Sequence, residues 1–418
     1  MYVKRTAEEM ILKVGNSFPC IAVYGPRQVG KSTTIDFLFG DKYRKITLDD
    51  MDDRELAINQ PKLFLETYSW PLIIDEIQKA PNLLDEIKQV IDAKRLEWMK
   101  TGEKRQLMYI LTGSNRFELQ EGISESLAGR CGVIDLASFS QAEKWAGRGM
   151  LFSPDIKELL NRESTSTAKY RTRAGIFEDI FTGGMPDICT GESERTAYFK
   201  SYISTYIEKD VRKLISASNE TQFRNFLSIV ALRTAQELHY EEIAGSVGVD
   251  VRTCKRWISI LETSGIIFLL QPYMANLSNR VIKAPKLYFM DTGLCAYLCR
   301  WRDAKMLEDG VMSGAFFETY VVSEFVKNFY AYNLDPKESL FYYRDKDQKE
   351  VDLIYDDGTT IYPIEIKKST SPKNPVRNFK VLEKYKVPVG TGLVIDTCDK
   401  IRPINENAYY FPVFQLGM

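Results

Sequence analysis

The chain has 418 residues, 44% of them hydrophobic and 27% charged, with 56 Lys and Arg against 57 Asp and Glu for a net charge of −1. That length supplies material for two or three cores, and the balanced charge excludes a global field that draws the chain onto nucleic acid, so any such contact must come from a local patch. The seven cysteines are scattered and His239 is the lone histidine, which argues against a Cys/His zinc site; Cys295 and Cys299 suit one helix face as buried thiols. No secretory signal and no apolar span of about 18 residues occurs, so the expectation is a soluble cytoplasmic protein with no membrane partner.

In chain order, the first informative stretch is Gly25-Pro26-Arg27-Gln28-Val29-Gly30-Lys31-Ser32, between the apolar run Ile21-Ala22-Val23-Tyr24 and the helix-compatible Ser32 to Phe39. Strand, glycine loop and helix in that order form a P-loop, whose backbone N–H groups surround an anion while the helix start adds its positive dipole end. Gly25, Pro26, Arg27, Gln28, Val29, Gly30, Lys31, Ser32 and Thr33 are therefore the expected nucleotide-contacting residues, with Lys31 reaching the β- and γ-phosphates and the Ser32 hydroxyl ligating Mg²⁺.

Trp70-Pro71-Leu72-Ile73-Ile74-Asp75-Glu76 then reads as a buried parallel strand ending in two carboxylates. Asp75 is placed at the strand's C-terminal edge to hold Mg²⁺ through water, and Glu76 to polarise the attacking water. A third strand, Gln106 to Thr112, ends in Gly113-Ser114-Asn115, where Asn115 could position that water or the segment could be an ordinary strand-ending turn. Arg130 precedes a fourth apolar run, Val133 to Leu136. It is either a cation for the transition state, in cis or from a neighbouring subunit, or a solvated surface arginine; Arg27 is a second candidate for that task.

The first unit is expected to end near Phe139 to Glu143. A helical stretch from Gln141 to Leu160, a polar linker from Asn161 to Thr167, the bend Thr182-Gly183-Gly184-Met185-Pro186 and a helix from Glu192 to Ile215 follow. Glu237 to Pro272 reads as a helix-turn-helix with a wing. Asp250 caps its second helix, Gly265 stops it, and Val251, Cys254, Ile258 and Leu261 pack inward, leaving Arg252, Lys255 and Arg256 outward for double-stranded DNA. Lids and protein-docking modules share that pattern.

Toward the C-terminus, Glu350 to Tyr355 and Thr360 to Lys367 flank Asp357-Gly358, a favoured two-residue hairpin turn. That turn pairs Asp352 with Pro363 and Glu350 with Glu365, and alternation puts Glu350, Asp352, Glu365 and Lys367 on one face. Gathered carboxylates call for a divalent ion, and Mg²⁺ takes such oxygen ligands. Glu318 lies on the apolar stripe of the helix Gly314 to Tyr330, where a carboxylate is out of place unless it serves a site. A solvated acidic hairpin with ordinary salt bridges is the competing reading.

The phosphate loop, Asp75-Glu76, Ser114-Asn115 and Arg130 together resemble the P-loop ATPases of the AAA+ group. With Ile77-Gln78, Thr112-Gly113, Ala128-Gly129, Gly183-Gly184 and Pro186, Tyr288-Phe289-Met290-Asp291-Thr292-Gly293-Leu294 and Glu350-Val351-Asp352, the chain resembles the prokaryotic family that joins such an ATPase to a C-terminal domain of unknown function 4143. The resemblance implies ATP as cofactor, with Mg²⁺; no guanine-reading Asn-Lys-x-Asp motif occurs. Asp352 with Glu365-Ile366-Lys367 resembles the active site of PD-(D/E)XK nucleases, although Glu350-Val351-Asp352 stands where that family has Pro-Asp. In that family the acidic pair holds Mg²⁺ and the lysine helps to position or activate water.

The expected fold is α/β: a P-loop parallel sheet with helices on both faces at 1–143, a helical region with a winged helix-turn-helix (about 237–272) at 144–272, and a restriction-endonuclease-like α/β domain at 273–418. The expected catalytic residues are Lys31, Glu76, Asn115, Arg130, Glu318, Asp352, Glu365 and Lys367, and the expected metal ligands Ser32, Asp75, Asp352 and Glu365. Two functions follow: an ATPase coupled to a DNA-binding or nuclease-like half, or a nucleotide-dependent switch or scaffold that holds a protein or nucleic-acid partner without cutting. A homo-oligomer is left open.

Overall fold

Strand β1 (Cys20–Tyr24), buried at every residue, shows how the first unit is built. In the computed structural model, which describes residues 2–113, 122–145, 149–165, 170–207, 220–274, 284–370 and 372–417, its side chains divide between two cores. Cys20, Ala22 and Tyr24 meet Ile87, Ile91 and Trp98 of the helix Leu83–Thr101. Ile21 and Val23 meet Ile11 and Val14 of the helix Glu8–Ser17 and Ile35 of the helix Lys31–Phe39 on the other face. A continuous apolar run is what a strand covered on both faces requires.

β2 (Arg44–Thr47), β3 (Leu72–Asp75), β4 (Tyr109–Gly113) and β5 (Cys131–Asp135) complete a wholly parallel sheet in the order β2-β3-β4-β1-β5. β2 escapes periodicity because it lies at the sheet edge, and Ile46 is its one buried residue. The parallel register of β1 with β5, Cys20 beside Cys131 and Tyr24 beside Asp135, fixes which end of the sheet each loop occupies.

The middle region departs from expectation in two places. The helix expected over Gln141 to Leu160 is two helices, Gln141–Trp145 and Ile156–Thr165. The second runs through most of the expected linker, because Arg162 pairs with Glu158 one turn back and donates to Leu151 O at 2.8 Å, while Glu163 accepts from Ile401 N at 2.8 Å. The helix expected from Glu192 spans Arg195–Tyr202, capped by the Glu194 carboxylate, and passes into a π-helical turn, Ile203–Ile207. Its remainder, to Ile215, lies outside the described residues.

The helix-turn-helix elements are the helices Tyr240–Val247 and Val251–Thr263. Gly248 ends the first in the left-handed conformation, and the Asp250 carboxylate accepts from Thr253 N to start the second, a cap worth about 1 kcal/mol. Cys254, Trp257, Ile258 and Leu261 are buried; Arg252, Lys255 and Arg256 are exposed. Ile266 to Leu270 contributes β7 (Ile267–Leu270), which pairs antiparallel with β8 (Lys286–Phe289), itself paired with β6 (Gln236–Glu237). This small sheet therefore runs across the expected boundary at 272–273.

The C-terminal sheet contains β9 (Leu340–Arg344), β10 (Glu350–Asp356), β11 (Ile361–Ile366), β12 (Gly392–Asp396), β13 (Arg402–Asn405) and β14 (Ala408–Pro412), ordered β13-β14-β12-β11-β10-β9 with mixed pairing. Trp257, Phe316, Leu353 and Ile364 share one core, so this sheet and the middle region fold around common apolar contacts.

The segment leaving β5 ties the parts together. Gln141 N donates to Glu324 Oε2 at 2.8 Å, and Lys327 Nζ donates to Phe139 O at 3.1 Å and pairs with Glu324 at 3.0 Å. Gln141 Nε2 donates to Val413 O and Leu416 O at 2.8 and 2.7 Å. Both charged side chains are buried, and a buried carboxylate stripped of its cation costs about 3–5 kcal/mol. Lys327→Met should therefore lower the thermal midpoint of the full chain by several degrees, and the double variant Glu324→Gln/Lys327→Met should recover much of that loss. Scanning calorimetry checks both; an unchanged midpoint for the single variant would show that this pair contributes little.

Candidate functional site

The loop Gly25–Gly30 lies at the C-terminal edge of β1, the same sheet edge at which β3 ends on the far side of β4, as the shared parallel direction requires. A Cβ on Gly25 would fall 2.0 Å from Leu136 O, and Gly30 sits at φ +91° as the helix Lys31–Phe39 begins. Neither position admits a side chain without moving backbone. Arg5 supports the loop from behind: Nη1 donates to Val29 O at 2.9 Å, Nη2 to Ala137 O at 2.7 Å, and Nε pairs with Glu143 at 3.1 Å.

Lys31 is buried and folds over its own loop, donating to Gly25 O at 3.0 Å and Pro26 O at 2.8 Å. Burial pushes its pKa down to about 8, against the pull of Glu76 and Asp75, with Arg27 adding to the depression. Ser32 Oγ donates to Asp75 at 2.9 Å, and Thr112 Oγ1 also donates to Asp75. Glu76 follows in the left-handed conformation, φ +57°, with its carboxylate accepting from Gln78. A non-glycine residue held there is strained, and such strain clusters at functional sites.

Lys31, Ser32, Asp75 and Glu76 are thus brought together, with Thr33 exposed on the helix behind them. Ser114 and Asn115 lie outside the described residues. Arg130 is elsewhere: it precedes β5, at the opposite edge of the parallel sheet from the loop, about 16 Å away by strand length alone. There Asp92 accepts from its Nε and Nη2 at 2.7 and 2.8 Å. Sheet polarity removes the cis role that the sequence left open for Arg130.

The second cluster forms on β10 and β11 with a changed register. Ile354 pairs with Pro363 and Leu353 with Ile364, which brings Asp352 opposite Glu365, two positions from the expected partner. The turn has four residues because Asp357 N donates to Thr360 O at 3.2 Å, and the Asp357 carboxylate accepts from Thr359 N and Thr360 N at 2.8 Å. A slip of two keeps every side chain on its expected face.

Asp352 and Glu365 are buried, and Lys367 Nζ bridges them at 3.2 and 2.7 Å. Asp352 Oδ2 also accepts from Ile366 N at 2.8 Å. Glu350 does not join this pair; it and Glu318 are bridged by Lys286, and Glu318 accepts from Tyr288 Oη at 2.7 Å. The expected three-carboxylate face is therefore divided between two lysines. Lys286 and Tyr288 were not among the expected site residues, although their spacing of two in a short apolar strand puts both polar groups on one face.

Among the described residues no three His, Cys, Asp or Glu side chains converge as a preformed metal cage. Two oxygen-rich places nevertheless fit a hard divalent ion that keeps most of its waters: Ser32 with Asp75, and Asp352 with Glu365, whose buried Oε2 has no hydrogen-bond partner among the described residues.

Burial, then the Asp352 charge, pushes Glu365 up to about 7 from the ordinary 4.5, against Lys367. A carboxyl raised on folding binds its proton more tightly in the folded state. Its contribution is complete below about pH 4.5 and declines as pH rises toward 7, where it levels off. In chelator-containing buffer, Glu365→Gln should flatten the loss of stability between pH 5 and 7.5; parallel denaturation profiles for both proteins would contradict the assignment.

Residues 17–144 match the AAA domain family, 173–305 a domain of unknown function (DUF8612), and 313–416 a domain of unknown function (DUF4143). Uncharacterized proteins of Mycobacterium bovis and Mycobacterium tuberculosis are each 27% identical over 374 residues, covering 88% of this chain and 75% of theirs. Among solved structures, a Walker-type ATPase of Pyrococcus abyssi shares 13% identity at a TM-score of 0.43, covering 70% of this chain and 94% of its own. No helix among the described residues is long and apolar enough to cross a membrane. With a P-loop built at the edge of a five-stranded parallel sheet and a separate C-terminal sheet in place, the chain joins a region matched by the AAA domain family to a C-terminal region matched by a domain of unknown function (DUF4143).

Proposed function

We propose that the protein is a Mg²⁺-dependent ATP hydrolase whose nucleotide state is felt by a nucleic-acid-directed C-terminal half. The observation that carries the first part is the convergence of Lys31, Ser32, Asp75 and Glu76 beside a loop whose Gly25 has no room for a side chain. In this reading the triphosphate takes the place of the Gly25 and Pro26 carbonyls as partner of Lys31, and Ser32 and Asp75 turn from each other to the hydrated ion. Bound Mg²⁺ neutralises charge on the β- and γ-phosphate oxygens. Glu76, one residue beyond Asp75, orients the attacking water and accepts its proton. Arg130, removed from its own subunit's loop by the sheet, acts only on a neighbouring subunit in an oligomer, and Arg27 is the local cation.

The second part rests on Asp352, Glu365 and Lys367, a buried acidic pair with a lysine between them. We assign them metal-dependent phosphodiester cleavage, with Lys367 moving from its carboxylates to the attacking water and Glu318 held ready by Lys286 and Tyr288. The helix Val251–Thr263 presents Arg252, Lys255 and Arg256 to duplex DNA. The division into units at 1–143, 144–272 and 273–418 belongs to the same proposal, modified by the small sheet that straddles its second boundary. A cytoplasmic location is in keeping with this role.

Lys31→Ala should lower steady-state ATP turnover by at least about 100-fold, and Glu76→Gln by a similar factor while ATP remains bound. Phosphate release and equilibrium dialysis measure the two effects, and turnover that survives both substitutions would end the hydrolase reading. Asp352→Asn and Lys367→Ala should each abolish Mg²⁺- or Mn²⁺-dependent cutting of plasmid DNA without altering ATP turnover. If the wild-type chain cuts neither DNA nor RNA with either ion, the C-terminal half is instead the binding arm of a nucleotide-dependent switch.

A further inference from the structure

On the outer side of the middle region, the helix Arg195–Tyr202, the helix Glu220–Leu232 and the segment Arg300–Arg302 enclose an open groove of about 610 Å³. Five cations line it, Arg195, Lys200, Arg224, Arg300 and Arg302, and no carboxylate does among the described residues. In a chain whose net charge is −1, that segregation creates a local positive field. We propose that this groove binds single-stranded nucleic acid, its phosphates on the arginines and its bases against Trp301 and Tyr297.

Several observations make the groove a prepared surface. Arg195 is half-buried, its guanidinium 3.7 Å from the Phe181 ring centroid, with Nε donating to Phe181 O at 2.8 Å and Nη2 to Gly293 O at 3.0 Å. It forms no ion pair among the described residues, with Asp291 and Glu194 acting on it only at longer range, which leaves its hydrogen-bonding edge for a ligand. The nearest acids in sequence are engaged elsewhere: Glu194 caps its own helix through Thr196 N and Ala197 N, and Asp303 caps the helix Ala304–Asp309 through Met306 N. Lys200, Arg300 and Arg302 are exposed and form no ion pair among the described residues. Arg300 stands at φ +61°, an uncommon conformation for a long side chain, at the start of the Arg-Trp-Arg segment.

The aromatic residues choose among anionic partners. Trp301 is held by close packing on Gly310, where an added Cβ would meet the ring at 2.3 Å, and its indole Nε1 has no acceptor among the described residues. Planar guanidinium groups match phosphate oxygens bidentately, and the half-buried rings of Tyr297 and Trp301 line the groove where bases can meet them; an acidic peptide would use the charges and leave the rings idle. The charges come from three separate elements, as a strand threading a groove needs, and the groove shares no lining residue with Arg252, Lys255 or Arg256. This inference does not depend on ATP turnover.

The test is fluorescence anisotropy of a labelled oligothymidylate with the full chain at several salt concentrations. Arg300→Glu/Arg302→Glu should weaken binding at least about 30-fold at low salt and reduce the slope of log affinity against log salt by about 1 to 2. Trp301→Ala should weaken it about 10-fold, while Arg252→Glu/Lys255→Glu/Arg256→Glu should leave it within about threefold. Circular dichroism melts check folding, and Lys200→Gln/Arg224→Gln replaces the first variant if that one is unfolded. No binding by the wild-type chain, loss confined to the helix-turn-helix variant, duplex bound as tightly as single strand with Trp301→Ala silent, or displacement by polyglutamate at equal charge would each overturn the proposal.

Discussion

The buried ion pair between Glu324 and Lys327 is the constraint on which the arrangement of the whole chain depends. Neither charge tolerates the interior alone, and each satisfies itself on the segment that leaves β5, Glu324 at Gln141 N and Lys327 at Phe139 O. The same segment passes Leu136 O against Gly25 and offers Ala137 O to Arg5, which in turn holds Val29 O. Phe139 N completes the junction by donating to Gly184 O at 2.7 Å. A few residues thus touch the phosphate loop, the middle region and the C-terminal sheet, each through a bond that would be costly to leave unmade.

That junction gives physical content to the idea of coupling. Gly183 and Gly184 lie where a Cβ would strike Asp291 or Phe139 O, and the Asp291 carboxylate accepts from Gly184 N and Leu294 N. The Gly-Gly pair and the Asp-Thr-Gly-Leu motif, separated by more than a hundred residues, are two halves of one clamp. On the other side of the phosphate loop, a Cβ at Gly265 would reach Pro26 at 3.0 Å, so the end of the helix-turn-helix rests directly on the loop. Movement of Pro26 has little room that does not involve the middle region.

The two acidic sites solve one electrostatic problem differently. Beside the phosphate loop, Lys31 turns to backbone carbonyls while Asp75 takes hydroxyl donors from Ser32 and Thr112. In the C-terminal sheet two lysines each bridge two carboxylates. The first arrangement leaves the lysine hydrogen-bonded to carbonyl dipoles, with Glu76 and Asp75 acting on it only through their charge, ready for a strongly anionic ligand. The second sets two ammonium groups against four carboxylates, an excess of negative charge that suits an entering divalent ion.

Local chemistry was enough to read the phosphate loop, the strand ending in Asp75-Glu76, the Asp250 cap and the alternation that gathers Asp352, Glu365 and Lys367, because each depends on residues within a turn or a strand of one another. The hairpin register was missed by two because the side chain of Asp357 builds a longer turn than its Asp-Gly pair suggests. β2 was missed because an edge strand needs only one buried residue, and Lys286 and Tyr288 because their partners lie some thirty or more residues away. Sequence by itself determined the chemistry of each loop and strand; tertiary structure decided which loops share an edge, taking Arg130 away from Lys31, and which buried charges meet. The reason is that sheet polarity and the pairing of buried ions are set by chain segments far apart in sequence, whose proximity no local pattern carries.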